Sequence, residues 1–197
     1  KKRSIRPLMI SSRLVDTRPD PMLQYFQIFI NLCLFRGKAQ DMPRSEALLL
    51  VTAIAAILSS AINAIPNAGI LRGTVMSVGQ VLLFAGLISL MLRFRGKSER
   101  SMQTLTAMFG ATTLLQLLAL PFFGWHEGLL PNESEPLVVL TTPLLIAAGI
   151  AIWSLTVMTS ILRQAMDSGI GAALLIIIGC QSLIMIAVTT LMGSSPG

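Results

Sequence analysis

Three glutamines, Gln80, Gln116 and Gln181, each lie deep inside a long stretch that contains no Asp, Glu, Lys or Arg. A primary amide both donates and accepts hydrogen bonds, and inside an apolar segment it must find a partner. Two roles follow. The amides can bond helix to helix, a contact worth about 0.6 to 2 kcal/mol, or they can line a polar path and touch a substrate. Ser59, Ser60 and Asn63 pose the same choice, and Ala56, Ser60 and Ala64 form a small-residue ridge suited to close helix packing. The only histidine, His126, sits between Trp125 and Glu127. It reads either as a pH-sensitive or metal-binding group or as an interfacial residue beside a belt tryptophan. A single histidine excludes a histidine-based metal cluster, and uncharged spans leave no parts for an aspartyl dyad. Gly96-Lys97-Ser98 resembles the tail of a phosphate loop, but Met91 stands where that motif needs its first glycine. A basic turn against lipid headgroups is the simpler reading. No cofactor, metal or catalytic set is implied, and the chain is expected not to be an enzyme.

The elements that would hold these residues follow from composition. The chain has 197 residues, of which 53% are hydrophobic and 12% charged, with a mean hydropathy of +0.74. Soluble domains carry about 25% charged residues. The deficit excludes a disordered chain, a disulfide-rich secreted domain and an ordinary cytosolic enzyme. A net charge of +6 could suggest nucleic acid, but the basic residues lie in short runs between apolar segments, without aromatic interleaving. Cys33 and Cys180 fall in different membrane environments, so no disulfide is expected between them.

Five uncharged segments, approximately Ala47–Ile65, Thr74–Leu92, Gln103–Phe123, Leu137–Leu162 and Gly169–Leu191, can each cross a hydrocarbon core of about 30 Å, which takes about 20 helical residues. A charge at the centre of such a helix costs about 2.5 to 3.5 kcal/mol, so their absence is an energetic signal. The expected fold is all-α, a five-helix transmembrane bundle over residues 47–191. Pro66-Asn67-Ala68-Gly69 is expected to break the first span. The residues from His126 to Pro136 read as a polar, acidic loop holding a glycosylation-type sequon at Asn132-Glu133-Ser134. Trp153 and the methionines of the spans read as packing residues.

Residues 1–21 read as a basic flexible arm, with Met22 a candidate initiator, and 192–197 as a short outer tail. Between them and the bundle, 22–46 read as an interfacial helix and linker. From Met22 to Phe35, Gln24, Gln27 and Asn31 recur at helical spacing amid Leu, Ile, Phe and Tyr. About 14 residues is too short to span, so this segment is expected to lie in the membrane interface, and Ser45 is a plausible cap for the first span. Of the 15 Lys and Arg, 14 fall on the side that holds the N-terminus, and only Arg72 lies opposite. The bias predicts a cytoplasmic N-terminus and an outer C-terminus.

Two regions then carry a family resemblance. Lys97-Ser98-Glu99-Arg100-Ser101-Met102-Gln103-Thr104-Leu105, running into Leu120-Pro121, and Ile150-Ala151-Ile152-Trp153-Ser154-Leu155, followed by Ile161-Leu162-Arg163-Gln164-Ala165, resemble the third and fourth spans of the Yip1 family. The Asp-Leu-Tyr-Gly-Pro motif of eukaryotic members is absent, so the resemblance implies a small relative in a bacterial inner membrane.

Two functions remain open. The first is a non-enzymatic scaffold that binds anionic lipid headgroups or other membrane proteins, a second copy included, and no nucleic acid. Its contacts would be Arg93, Arg95, Lys97 and Arg100 in the basic turn, with Phe26 and Phe29 on the interfacial helix. The alternative is a small-solute permease or transporter subunit whose path is lined by Gln80, Gln116 and Gln181.

Overall fold

A computed structural model describes residues 21–37, 40, 42–129 and 140–193. Among them all regular structure is helical: α1 (Pro21–Cys33), α2 (Glu46–Ala68), α3 (Ile70–Phe94), a 3₁₀ turn (Ser98–Arg100), α4 (Ser101–Leu129), α5 (Thr142–Met166) and α6 (Ile170–Gly193). Five of these, α2 to α6, are long and apolar enough to cross a membrane. The protein is an integral membrane protein. The sequon, the start of the fourth apolar segment at Leu137, the basic arm before Pro21 and the tail beyond Gly193 lie outside the described residues.

Local signals set most of the boundaries. Ser45 has extended backbone, and its Oγ accepts the Leu48 N–H at 3.3 Å, capping α2. At the other end α2 runs through Pro66, where a break is expected, and stops at Gly69. The φ of 78° there suits glycine, and one residue alone then separates α2 from α3. Helix α3 accordingly starts four residues before Thr74 and takes Arg72 into its first turn. Helix α4 likewise continues past Pro121 and through His126 to Leu129, so the first part of the expected loop is helical. In lipid an unpaired backbone group costs several kcal/mol, which favours prolonging a helix over exposing its end. Asp167 closes α5 in the left-handed region at φ 50°.

Helix α4 packs on α2 and α5, α3 packs on α2 and α6, and α6 packs on α5. The five spans therefore close into a ring. Helix α4 is the most enclosed of the five. Its residues from Thr104 to Ala111 are buried without a break because α1 covers the side that would otherwise face lipid. Phe29, Leu32 and Cys33 of α1 are buried there, while Gln24, Gln27 and Asn31 are exposed. The Phe29 ring occupies the space where Gly110 lacks a side chain. The Trp153 indole N–H donates to the Cys33 carbonyl at 2.9 Å, satisfying an acceptor at the end of α1.

The ring is filled differently at its two ends. Toward the turn between α3 and α4 it is a dry core, with Ile88, Leu92, Met108, Ile161 and Leu162 almost fully buried. Toward the α2–α3 turn it holds a cavity.

Candidate functional site

The cavity has a volume of about 560 Å³ and draws its walls from all five spans. Its polar lining is Ser60 and Asn63 of α2, Gln80 of α3, Thr112 and Gln116 of α4, Ser154 of α5, and Gln181 of α6. Ala64, Ala119, Ala147 and Ala151 keep it wide. The three glutamines, 36 and more residues apart in sequence, thus meet at one place. They share this cavity because each stands near the middle of its own helix; Gln80 and Gln116 are half-buried and Gln181 is exposed.

The hydrogen bonds divide the three. Gln116 Oε1 lies 2.6 Å from the Ser59 hydroxyl, a bridge between α4 and α2, and Asn63 Nδ2 donates to the Ser59 carbonyl at 2.8 Å. Thr112 is turned back on the Met108 carbonyl at 2.7 Å. The side-chain amides of Gln80 and Gln181 hold no hydrogen bond to another described residue. Only Gln116, then, bonds helix to helix. Gln80 and Gln181 keep their full donor and acceptor capacity for whatever fills the space. At about 30 Å³ per molecule the volume suits some 15 to 20 waters, or one small polar ligand. The lining carries no charge.

Toward the dry end the cavity narrows to a pocket of about 60 Å³ bounded by Ala56, Val81, Phe84, Phe109, Met158 and Ile184. The rings of Phe84 and Phe109, centroids 6.3 Å apart at 54°, stop it there. The result is a vestibule plugged at its inner end.

The residues of the expected basic contact surface separate. Lys97 Nζ and Arg100 Nη1 both reach Asp167 Oδ2, at 2.9 and 3.1 Å, tying the 3₁₀ turn to the α5–α6 turn. Chiefly through the hydrogen bond from Lys97, Asp167 is held below the ordinary aspartate range. Arg93 and Arg95 are exposed on either side of Phe94, which is 77% exposed. Phe26 is half exposed, whereas Phe29, expected to meet lipid or a partner, is buried at 8% against Gly110. That corrects its assignment: a ring fitted over a glycine is a packing contact. Gly96-Lys97-Ser98 closes a helix instead of following a strand, and its lysine is engaged with Asp167.

His126 Nδ1 lies 2.7 Å from Thr141 Oγ1 and so joins the ends of α4 and α5. Among the described residues no group of three His, Cys, Asp or Glu side chains could hold a metal ion. Asp167 as the link between two turns, and Thr112 and Ser154 as lining residues, escape sequence reasoning. The one signal for Asp167 is that it is the lone acid between the last two spans, available to the basic residues of another turn. No protein-family profile, curated protein or solved structure matches the chain.

Proposed function

We propose that the protein is a permease-class membrane protein whose vestibule takes up a small, uncharged, hydrogen-bonding group. One observation carries this reading: Gln80, Gln116 and Gln181, from three helices, line a single cavity, and two of the three amides are uncommitted. Unsatisfied amides in an apolar bundle cost several kcal/mol unless water or ligand meets them. The absence of charge in the lining favours neutral solutes over ions. The 14 to 1 distribution of Lys and Arg supports a vestibule facing outward, with Arg93 and Arg95 in the cytoplasm.

Stopped-flow light scattering on proteoliposomes tests it with a series of neutral polyols, from glycerol to xylitol. At least one should permeate faster than through protein-free liposomes, and Gln116→Leu with Gln181→Leu should bring it back to that background. Equal rates with and without the two substitutions would sink the proposal.

A second reading, a Yip1-like scaffold, is favoured by one observation: Arg93 and Arg95 flank the bare Phe94 ring, a pattern that suits an anionic lipid surface. Charge reversal at both positions should weaken flotation with vesicles rich in phosphatidylglycerol; unchanged flotation removes this reading.

A further inference from the structure

The outer halves of α3 and α6 leave a gap. Between them lies a second space, a cleft of about 710 Å³ lined by Ile70, Leu71, Val75, Met76, Gly79 and Leu83 of α3 and by Ile184, Ala187 and Val188 of α6. Except for Arg72 at its rim and Gln80 at its depth, its lining is apolar. Gln80 belongs to both spaces, for it lines the polar vestibule as well. Ile184 is likewise shared by the cleft and the vestibule's narrow inner end. The polar cavity and the apolar cleft therefore abut, with one amide at the junction.

Depth decides what could use this junction. Arg72 and Arg93 bracket α3, and the 21 residue-to-residue steps from one to the other rise about 31 Å, the thickness of a hydrocarbon core. Gln80 stands about 12 Å below Arg72 on the same scale, close to the bilayer's mid-plane. A phospholipid cannot bring its phosphate there, because burying a charge is far costlier than burying a neutral polar group. A neutral lipid has no such anchor. The cleft itself offers a lipid tail nothing that surrounding lipid lacks, so any preference must come from the head, and the vestibule supplies uncommitted amides to meet it.

We infer that the vestibule's ligand is a neutral lipid, a long alkyl or isoprenoid chain carrying an uncharged hydrogen-bonding head, and that it enters sideways between α3 and α6. Its head lies among Gln80, Gln116 and Gln181 and its tail in the cleft. The inference rests on the proposal that the vestibule recognises an uncharged polar group, and it adds the ligand's class and its route.

Gly79 makes the route testable. It lines the cleft, and a Cβ built on it meets nothing within 4 Å. Gly79→Leu therefore fills the cleft without touching the packed core, and leucine favours the helix over glycine. Gly86→Leu, two turns further along and equally open, is the control outside the cleft. The probe is diacylglycerol with a diazirine on one acyl chain, in phosphatidylcholine nanodiscs containing the full chain. Crosslinks should map to Val75–Leu83 and Ile184–Val188, and untagged diacylglycerol should compete while phosphatidylglycerol does not.

Gly79→Leu should lower the yield about fivefold or more and Gly86→Leu should not. Gln181→Leu should also lower it about fivefold, the factor one lost hydrogen bond is worth. Loss in Gln181→Leu but not in Gly79→Leu overturns the lateral route and leaves the polar vestibule standing. Loss in Gly79→Leu alone shows ordinary lipid in the cleft and overturns both the ligand class and recognition by the vestibule. No loss in either, or crosslinks spread evenly over the lipid-facing surface, overturns the inference. Equal melting temperatures of the variants in the same nanodiscs separate each of these outcomes from misfolding.

Discussion

Replacing Gly110 with alanine sets a methyl group into the ring of Phe29. A Cβ at that position would overlap Cε1, Cδ1 and Cζ of the ring, so something has to shift. Overpacking of this kind costs about 1 to 3 kcal/mol. Helix α1 is held by the burial of Phe29, Leu32 and Cys33 and by the Trp153 hydrogen bond, while α4 is gripped on several sides. The strain is therefore relieved by α1 lifting away and not by the bundle opening. At tenfold per 1.4 kcal/mol, the lifted population rises between about 5- and 150-fold. Cys33 reports it directly. Its Sγ is 4.0 Å from the Ala111 carbonyl, and burial raises the thiol's pKa, so maleimide reacts through the open form.

The assay is the rate of Cys33 labelling in a Cys180→Ala background. A second substitution isolates the contact. With Phe29→Ala already in place, the added methyl enters vacated space, and Gly110→Ala should change the rate by less than about twofold. Labelling that ignores Gly110→Ala, or that rises equally in both backgrounds, refutes the docking of α1 on Gly110.

Three further outcomes are expected. Trp153→Phe removes the donor to the Cys33 carbonyl while keeping an aromatic ring. At about 0.6 to 2 kcal/mol for such a bond, Cys33 labelling should rise about 3- to 30-fold. Asp167→Asn keeps a residue tolerant of the left-handed backbone and removes both ion pairs, so amide exchange at 97–101 and 163–168 should quicken. Because its carboxyl is held below its ordinary value, the contribution of Asp167 is complete above the unfolded value of about 3.9 and is lost as pH falls through the lower folded value. Wild type should match the Asn variant only in strong acid, and a difference that vanishes already between pH 8 and 5 would contradict the sign. Ser59→Ala deletes the partner of Gln116, but water in the vestibule can replace it, so the melting temperature should drop by what about 1 kcal/mol or less supports. A larger drop in the melting temperature would mean that the site is dry.

The spans were legible because charge is excluded from oil whatever the fold. Ser45 was legible because its capping chemistry is local. Which way Gln80 and Gln181 face was not. In water a buried face betrays itself by contrast with a polar one, but a helix in lipid is apolar on both sides, and the contrast disappears. The same loss of contrast hid the role of Gly110. One glycine among 15 acquires meaning only when an aromatic ring from far away in the chain is laid on it. Proline breaks helix interiors, but Pro66 stands in the last turn of α2, and Gly69 ends the helix instead.

Helix α1 finds its seat mainly on α4 and α5, which are synthesised long after it. During biogenesis the nascent chain must therefore carry α1 without its seat until two further hairpins have been delivered to the bilayer. Docking of the N-terminal helix is thus a late event in assembly, and a ribosome-bound chain stalled before α5 should still expose Cys33 to a thiol reagent that the finished protein resists.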